Sequence, residues 1–348
     1  MALRTSNVLF KLVCGSVIAG AALMTPPAVA ETAEDFYKGK RLRMVIGYSA
    51  GGGYDAYARI LARFIGKHIP GQPSVVAQNM PGAGSLLATN WLYNVAPRDG
   101  SVIAAINRGI PFEPLVGGQG IQFDPLQFGW VGSLGKEVNV TIAWHTSKTK
   151  NAQDLFTLGL VVGGTGSGAD SAIYPALMNN LLGAKIKLIA GYPGGNDVTM
   201  AMERGEVDAR FGWSWGSLKS RSKPWLDDKK INVLIQMALQ KAPDLPDVPL
   251  IMDFAKTDLD KKALELLFSP QISAWPLIAP PDVPKERISI LRRAFDATMK
   301  DPAFLADAGK IQIEVDPVSG ETMQQVVAGI AMFDRSVIDR AIELTDAK

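Results

Sequence analysis

Thiol and imidazole groups are scarce in this chain of 348 residues, which has one cysteine, Cys14, and two histidines, His68 and His145. Because Cys14 falls in the leader described below, the rest of the chain can form no disulfide and offers no thiol nucleophile or Cys/His set for zinc. Its stability must come from a large apolar core. No EF-hand spacing of carboxylates occurs, so no metal is expected. An excess of charge of one sign is also missing. Lysine and arginine total 36 against 34 acidic residues, and Arg4 and Lys11 lie in the first thirty positions with no acid, so the remainder is neutral. A neutral chain without a Lys/Arg-rich run lacks the electrostatic footprint that phosphate backbones require, which sets nucleic acid aside as a partner. Hydrophobic residues at 47% and charged residues at 20% exclude a disordered chain, and the length suits about two domains.

The N terminus reads as an export signal. Arg4 and Lys11 form its basic start, Leu12 to Met24 an apolar run broken by Gly15, Ser16 and Gly20, and Ala28-Val29-Ala30 a small-x-small cleavage site. The apolar run is well short of the roughly 20 residues that span a bilayer. Lys11-Leu12-Val13 ahead of Cys14 is a poor lipidation site, so the expectation is a signal peptide over residues 1–30, cleavage after Ala30 and a periplasmic protein beginning at Glu31.

The chain then alternates strand-like runs with helical stretches. Leu42 to Ile46 ends in Gly47-Tyr48-Ser49-Ala50-Gly51-Gly52-Gly53, and a helix follows from about Asp55 with Ile60, Leu61, Phe64 and Ile65 on one face. Ser74 to Gln78, the Pro81-Gly82-Ala83-Gly84 turn, a helix over Ser85 to Val95 and a β-rich run over Val102 to Ile106 repeat the pattern. This is the grammar of a doubly wound sheet. A second series starts near residue 158: a strand into Gly163-Gly164-Thr165-Gly166-Ser167-Gly168, a helix over Asp170 to Leu182, and a run from Lys185 into Tyr192-Pro193-Gly194-Gly195-Asn196-Asp197. Val207 to Phe211 then leads into Gly212-Trp213-Ser214-Trp215-Gly216, and Ile231 to Ala238 adds a strand. After an apolar run over Gln271 to Ala279, helical segments over Lys285 to Met299 and Thr322 to Ile342 return to the first half. The expected lobes are 31–142 with 272–348, and 143–271, joined by two crossings. In open α/β sheets ligands sit beyond the carboxyl ends of the strands, so two such lobes make a cleft rimmed by glycine-rich loops.

Two motifs suggest other chemistry. Gly212-Trp213-Ser214-Trp215-Gly216 matches the nucleophile elbow of serine hydrolases, but that mechanism needs a histidine after the serine, and His68 and His145 both precede it. An exported hydrolase using Ser214 is the alternative reading. Gly164 to Ala169 fits a dinucleotide fingerprint, yet residues 184–189 supply no acid for a ribose, so no cofactor is expected. The same loop suits a small anion held by backbone N–H groups and the hydroxyls of Thr165 and Ser167. Asp55, in the first turn of its helix, is suited to ordering the Gly51 to Gly53 loop, while Arg59 and Arg108 are open to structural roles or to an anionic ligand. Trp213 and Trp215 either pack in the core or form an aromatic wall beside the ligand.

In its motifs the sequence resembles the substrate-binding proteins of tripartite tricarboxylate transporters, the Bug family of periplasmic receptors. The matching pieces are Gly51-Gly52-Gly53-Tyr54-Asp55 with Arg59, Asn79-Met80-Pro81-Gly82-Ala83-Gly84, Ala96-Pro97-Arg98-Asp99-Gly100, Gly191-Tyr192-Pro193-Gly194-Gly195, Arg204-Gly205-Glu206-Val207-Asp208, Leu245-Pro246-Asp247-Val248-Pro249 and Ala279-Pro280-Pro281-Asp282-Val283-Pro284. The resemblance implies a two-lobed periplasmic-binding-protein-like α/β fold, two doubly wound domains around a ligand cleft, acting as a non-catalytic monomer. Its implied partners are a small organic carboxylate and the membrane permease subunits of the transporter. On that analogy, Tyr48, Ser49, Gly52, Gly53, Asp55, Pro81, Gly82, Ala83 and Gly84 hold the ligand from one lobe. Thr165, Gly166, Ser167, Gly168, Tyr192, Gly194, Gly195, Asn196, Trp213 and Ser214 hold it from the other. Where the family commonly has Phe-Asp-Asn, this chain has Phe211, Gly212 and Trp213, so the far part of the pocket differs.

Overall fold

The computed structural model describes residues 32–115, 118–330 and 332–346. The leader, Cys14 and the Ala30 cleavage site expected from the sequence lie outside them. Among the described residues the strands, in chain order, are β1 (Arg41–Ile46), β2 (Ser74–Asn79), β3 (Val102–Ala105), β4 (Gly129–Ser133), β5 (Asn139–Trp144), β6 (Gly159–Gly163), β7 (Lys185–Ile189), β8 (Ala209–Ser214), β9 (Ile231–Met237), β10 (Pro276–Ala279) and β11 (Val318–Ser319).

They form two sheets, ordered β11-β4-β10-β3-β1-β2 and β7-β6-β8-β5-β9. In the first, β1 is parallel to β2 and β3, whereas β10 is antiparallel to both β3 and β4. In the second, β6 is parallel to β7 and β8, whereas β5 is antiparallel to β8 and β9. Each sheet is therefore mixed rather than all parallel: the strand that enters from the other lobe, β10 or β5, is reversed, and in the first sheet the edge strand β11 is reversed as well. The fold is a two-lobed α/β architecture.

Both faces of β1 are buried, Leu42, Met44 and Ile46 in one apolar cluster and Val45 in another, as expected of a strand covered by helices on either side. The helix Gly53–Ile65 buries Tyr57, Ala58, Ile60, Leu61 and Ile65 against this sheet. Gly66 ends it where no side chain fits, because a Cβ there would lie 2.4 Å from the Pro73 carbonyl oxygen. The helices Asp170–Leu182 and Lys285–Met299 have the bounds expected from sequence, while the expected helical stretch from Thr322 divides into Gly320–Ile330 and Arg335–Thr345. No helix among the described residues is long and apolar enough to cross a membrane.

The chain passes between the sheets after β4 and again before β10, and these passages bond to each other: Glu137 N–H donates to the Gln271 carbonyl (3.0 Å) and Ala274 N–H to that of Gly135 (2.9 Å). The expected division at residue 142 falls within β5, all of which pairs in the second sheet. Gly320–Ile330 packs on β4, but Arg335–Thr345 crosses once more and lies on the helices Asp170–Leu182 and Asp258–Phe268 of the second lobe. There Arg340 bonds Asp260 at 2.8 Å, and Asn180 Nδ2 donates to the Leu344 carbonyl at 3.1 Å.

Candidate functional site

The carboxyl ends of β1 and β3 face those of β6 and β8 across a cavity of about 60 Å³. The first lobe contributes Tyr48, Gly52, Gly53 and Tyr54 after β1, Asn107 and Arg108 after β3, and Trp275 from the return passage. The second contributes Thr165 and Ala169 to Ser171 after β6, Gly195 and Val198, the segment Arg210 to Ser214, and Ser217.

Three helices begin at this cavity: Gly53–Ile65, Asp170–Leu182 and Gly195–Glu203. Their N-cap residues, Gly52, Ala169 and Gly194, make no side-chain cap. The first N–H groups of a helix have no partner within it, so three partial positive charges meet here. Asp55 leaves the opening of its own helix free, because its carboxylate accepts from Gly51 N–H (2.9 Å), Arg59 Nε (2.8 Å) and Asn79 Nδ2 (2.8 Å). It thus ties down the loop, in which Gly51 adopts φ +86.

The cleft floor is polar and mostly paired. Arg108 Nε and Nη2 donate to Asp170 Oδ2 at 2.9 and 2.6 Å, Nη2 also reaches Asn139 Oδ1, and Asn139 Nδ2 donates to the same carboxylate. Burial works against the Arg108 charge, but Asp170, with Tyr54, Tyr174 and Glu137 adding to it, outweighs that penalty and holds the guanidinium above its ordinary pKa. Burial pushes the Tyr54 hydroxyl up to about 12, with Arg108 opposing, and this hydroxyl accepts from Arg108 N–H at 3.1 Å. Tyr48 stacks on Tyr54 with ring centroids 4.7 Å apart. Arg108 Nη1 and Ser217 Oγ are buried without a hydrogen-bond partner.

Arg210 is different. Its place in β8 is level with Gly163, the last residue of β6. Nη1 donates to the Gly195 carbonyl at 3.0 Å, and the guanidinium lies 4.2 Å over the Trp213 ring. Burial pulls its pKa down to about 9.

Of the loop residues singled out from sequence, Tyr48, Gly52, Gly53, Thr165, Gly195, Trp213 and Ser214 line the cavity. Others meet at the rim where the lobes touch. Ser49 Oγ donates to Asp197 Oδ2 at 2.6 Å, its backbone N–H reaches the Pro193 carbonyl, and a Cβ on Gly194 would lie 2.2 Å from Ser49 Oγ. The Ala83–Gly84 backbone abuts Gly166, and the Asn196 amide lies against Gly51. Pro81, Gly82, Asp55 and Tyr192 are set back from the cavity, and Thr165 N–H is already taken by Ser171 Oγ (3.1 Å). Trp213 and Trp215 do not form one wall. The strand stops at Ser214, and Trp215 turns away to donate from Nε1 to Asp244 Oδ1 at 2.8 Å.

Ser214 accepts from Ser217 N–H (3.0 Å) as the cap of a short helix, and its hydroxyl bonds the Glu137 carboxyl, which burial raises. His68 instead pairs with Asp301 at 2.9 Å, and His145 lies beside Trp144.

Ser167 and Gly168 face a second cavity of about 670 Å³, whose wall includes Phe112, Glu113, Ile173, Tyr174 and Ile342. Glu113 presses so closely on Gly168 that a Cβ there would fall 0.9 Å from Oε1, and burial lifts its carboxyl pKa from the ordinary 4.5 to about 7. The folded state therefore keeps a proton that the unfolded chain releases between those values, so stability should fall as pH rises through this window and level off above it. The loss is at most about 3 kcal/mol. Urea titrations from pH 4.5 to 8 should show this decline in the parent and a flatter profile in Glu113→Gln. An equal decline in both would assign it elsewhere.

The tripartite tricarboxylate transporter family receptor model matches residues 57–340. The chain belongs to this family. Structures similar to this family member include the periplasmic binding protein BugD, at 21% identity and TM-score 0.70 over 88% of this chain and 97% of that one. The malate-bound MatC of Rhodopseudomonas palustris is similar at 18% identity and TM-score 0.66, over 88% and 99% of the two chains. An adipate-bound protein of R. palustris is similar at 19% and 0.68, over 87% and 97%. Among curated relatives, a UPF0065 protein of Cupriavidus necator, in the gbd 5' region, is 23% identical over 94% of this chain and 95% of its own length. These likenesses agree with the two-lobed fold, and the family is one of transport receptors.

Sequence patterns brought out the loops but passed over Asn107, Asp170, Arg210, Ser217 and Trp275 as cavity residues. For Arg210 a signal was available: an arginine between Ala209 and Phe211, both fully buried in the same strand, needs a reason to be there.

Proposed function

We propose that the protein is a periplasmic solute receptor that closes its two lobes on a small organic carboxylate and delivers it to the permease subunits of a tripartite tricarboxylate transporter. The observation that carries this reading is the meeting of three uncapped helix N-termini, from both lobes, at one cavity. Taking a carboxylate out of water is costly unless several donors replace its hydration, and helix starts supply fixed N–H groups without a mobile countercharge. The malate and adipate bound by its structural relatives are of this class. In this reading residues 1–30 direct export and are removed after Ala30, the receptor works as a monomer, and the lobes divide at the two bonded passages. It performs no chemistry on its ligand, and Ser214 serves as a helix cap rather than a nucleophile.

A thermal-shift panel of malate, adipate, lactate and benzoate tests the reading. A member present at 100 times its dissociation constant should add about 2.7 kcal/mol of stability and be recovered unchanged. Absence of a shift with every carboxylate, or turnover of a carboxylate ester that Ser214→Ala abolishes, would contradict it.

A further inference from the structure

Buried cations in proteins are normally matched by an acid. In this cleft Arg108 has Asp170. Arg210, half-buried beside the same cavity, has no such partner: among the described residues no carboxylate forms an ion pair with it, and its contacts are the Gly195 carbonyl and the Trp213 ring. Arg221, the other charged side chain that acts on it, has the same sign.

Its placement compounds the oddity. The guanidinium lies against the first turn of Gly195–Glu203, the positive end of that helix, where a cation is disfavoured. Gly195 makes this approach possible, since a Cβ there would lie 2.1 Å from Nη2. A cation and an uncapped helix start thus stand together beside the same cavity, an arrangement that an anion between them would stabilise. Stacking on Trp213 fixes the plane of the guanidinium and leaves its edge for a two-point bond to a carboxylate. Elsewhere on the wall, around Trp275, the buried Arg108 Nη1 and Ser217 Oγ lack partners.

We propose that Arg210 is the specificity-determining cation of the cleft: it takes one ionised carboxylate of the ligand at the start of Gly195–Glu203, while an acceptor oxygen at the ligand's other end engages Arg108 Nη1 and Ser217 Oγ. The inference rests on the receptor reading above and goes beyond it in naming the charged contact and the second polar group.

Calorimetric titration of the parent, Arg210→Lys, Arg210→Gln and Gly195→Ala with malate, adipate, lactate and benzoate tests it. For the tightest of these, Arg210→Gln should weaken binding by about 100-fold or more and Arg210→Lys by about tenfold, because lysine keeps the charge but not the fork. Gly195→Ala, which displaces the guanidinium without removing it, should also weaken binding. Melting temperatures without ligand should not fall in the Arg210 variants, since no internal ion pair is lost; a structural role would lower them. If the parent binds but Arg210→Gln binds equally well, the anchor is overturned and the receptor reading stands. If the parent binds none of the four, both fall.

Discussion

Asp170→Ala is expected to lower the unfolding free energy by about 3–5 kcal/mol, the range for removing one member of a buried ion pair. Arg108 and Asp170 side chains are only 3% and 12% exposed, and the carboxylate accepts from Arg108 Nε, Arg108 Nη2 and Asn139 Nδ2. Without it, a guanidinium with one nitrogen already unpartnered is left uncompensated at the cleft floor. The pair joins the two lobes beside Asn139, the first residue of the strand entering the second lobe. Urea denaturation measures the loss. Arg108→Met combined with Asp170→Ala should cost less than the two single changes added, because it leaves no orphan charge. A loss under about 1 kcal/mol for Asp170→Ala alone would mean that the bridge is solvated and the floor is not sealed.

The second large effect belongs to the rim. A Cβ on Gly166 would lie 2.3 Å from both the Ala83 carbonyl carbon and the Gly84 nitrogen, backbone atoms that no rotamer change can move. Gly166→Val should therefore hold the lobes apart, lowering carboxylate affinity by about 100-fold or more while leaving the cores of both lobes and the melting temperature of the free protein nearly unchanged. X-ray scattering should show a larger radius of gyration than the parent at the same ligand concentration. Gly309→Ala, where a Cβ meets nothing within 4 Å, is the control and should bind as the parent does. Binding by Gly166→Val within threefold of the parent would show that this rim contact is not needed for closure.

What could be read from the sequence was what is local. The bounds of Asp170–Leu182 follow from a glycine-rich loop before it and Gly183, in a left-handed C-cap, after it. The glycine loops after β1 and β6 mark the cleft because φ values and close backbone approaches are written into single residues. The charged part of the site was not legible in this way. Arg108 and Asp170 are 62 positions apart and meet only because two sheets face each other. Arg210 is informative for the acid that is missing beside it, which only the packed molecule reveals. The two tryptophans were ambiguous for another reason: where β8 stops decides which way Trp215 turns, and Ser214 capping the next helix stops it there. Sequence order returns the last helix to the first lobe, yet its apolar face suits either, and contacts such as Arg340 with Asp260 draw it to the second.

The most direct measurement of the central claim is a crystal structure of the protein with the tightest carboxylate of the panel. The account predicts the carboxylate between the lobes, within hydrogen-bonding distance of the helix starts at Gly53 or Gly195 and of the Arg210 guanidinium. The same ligand bound in the cavity beside Glu113 or on the outer surface, with the lobes closed on an empty cleft, would contradict it.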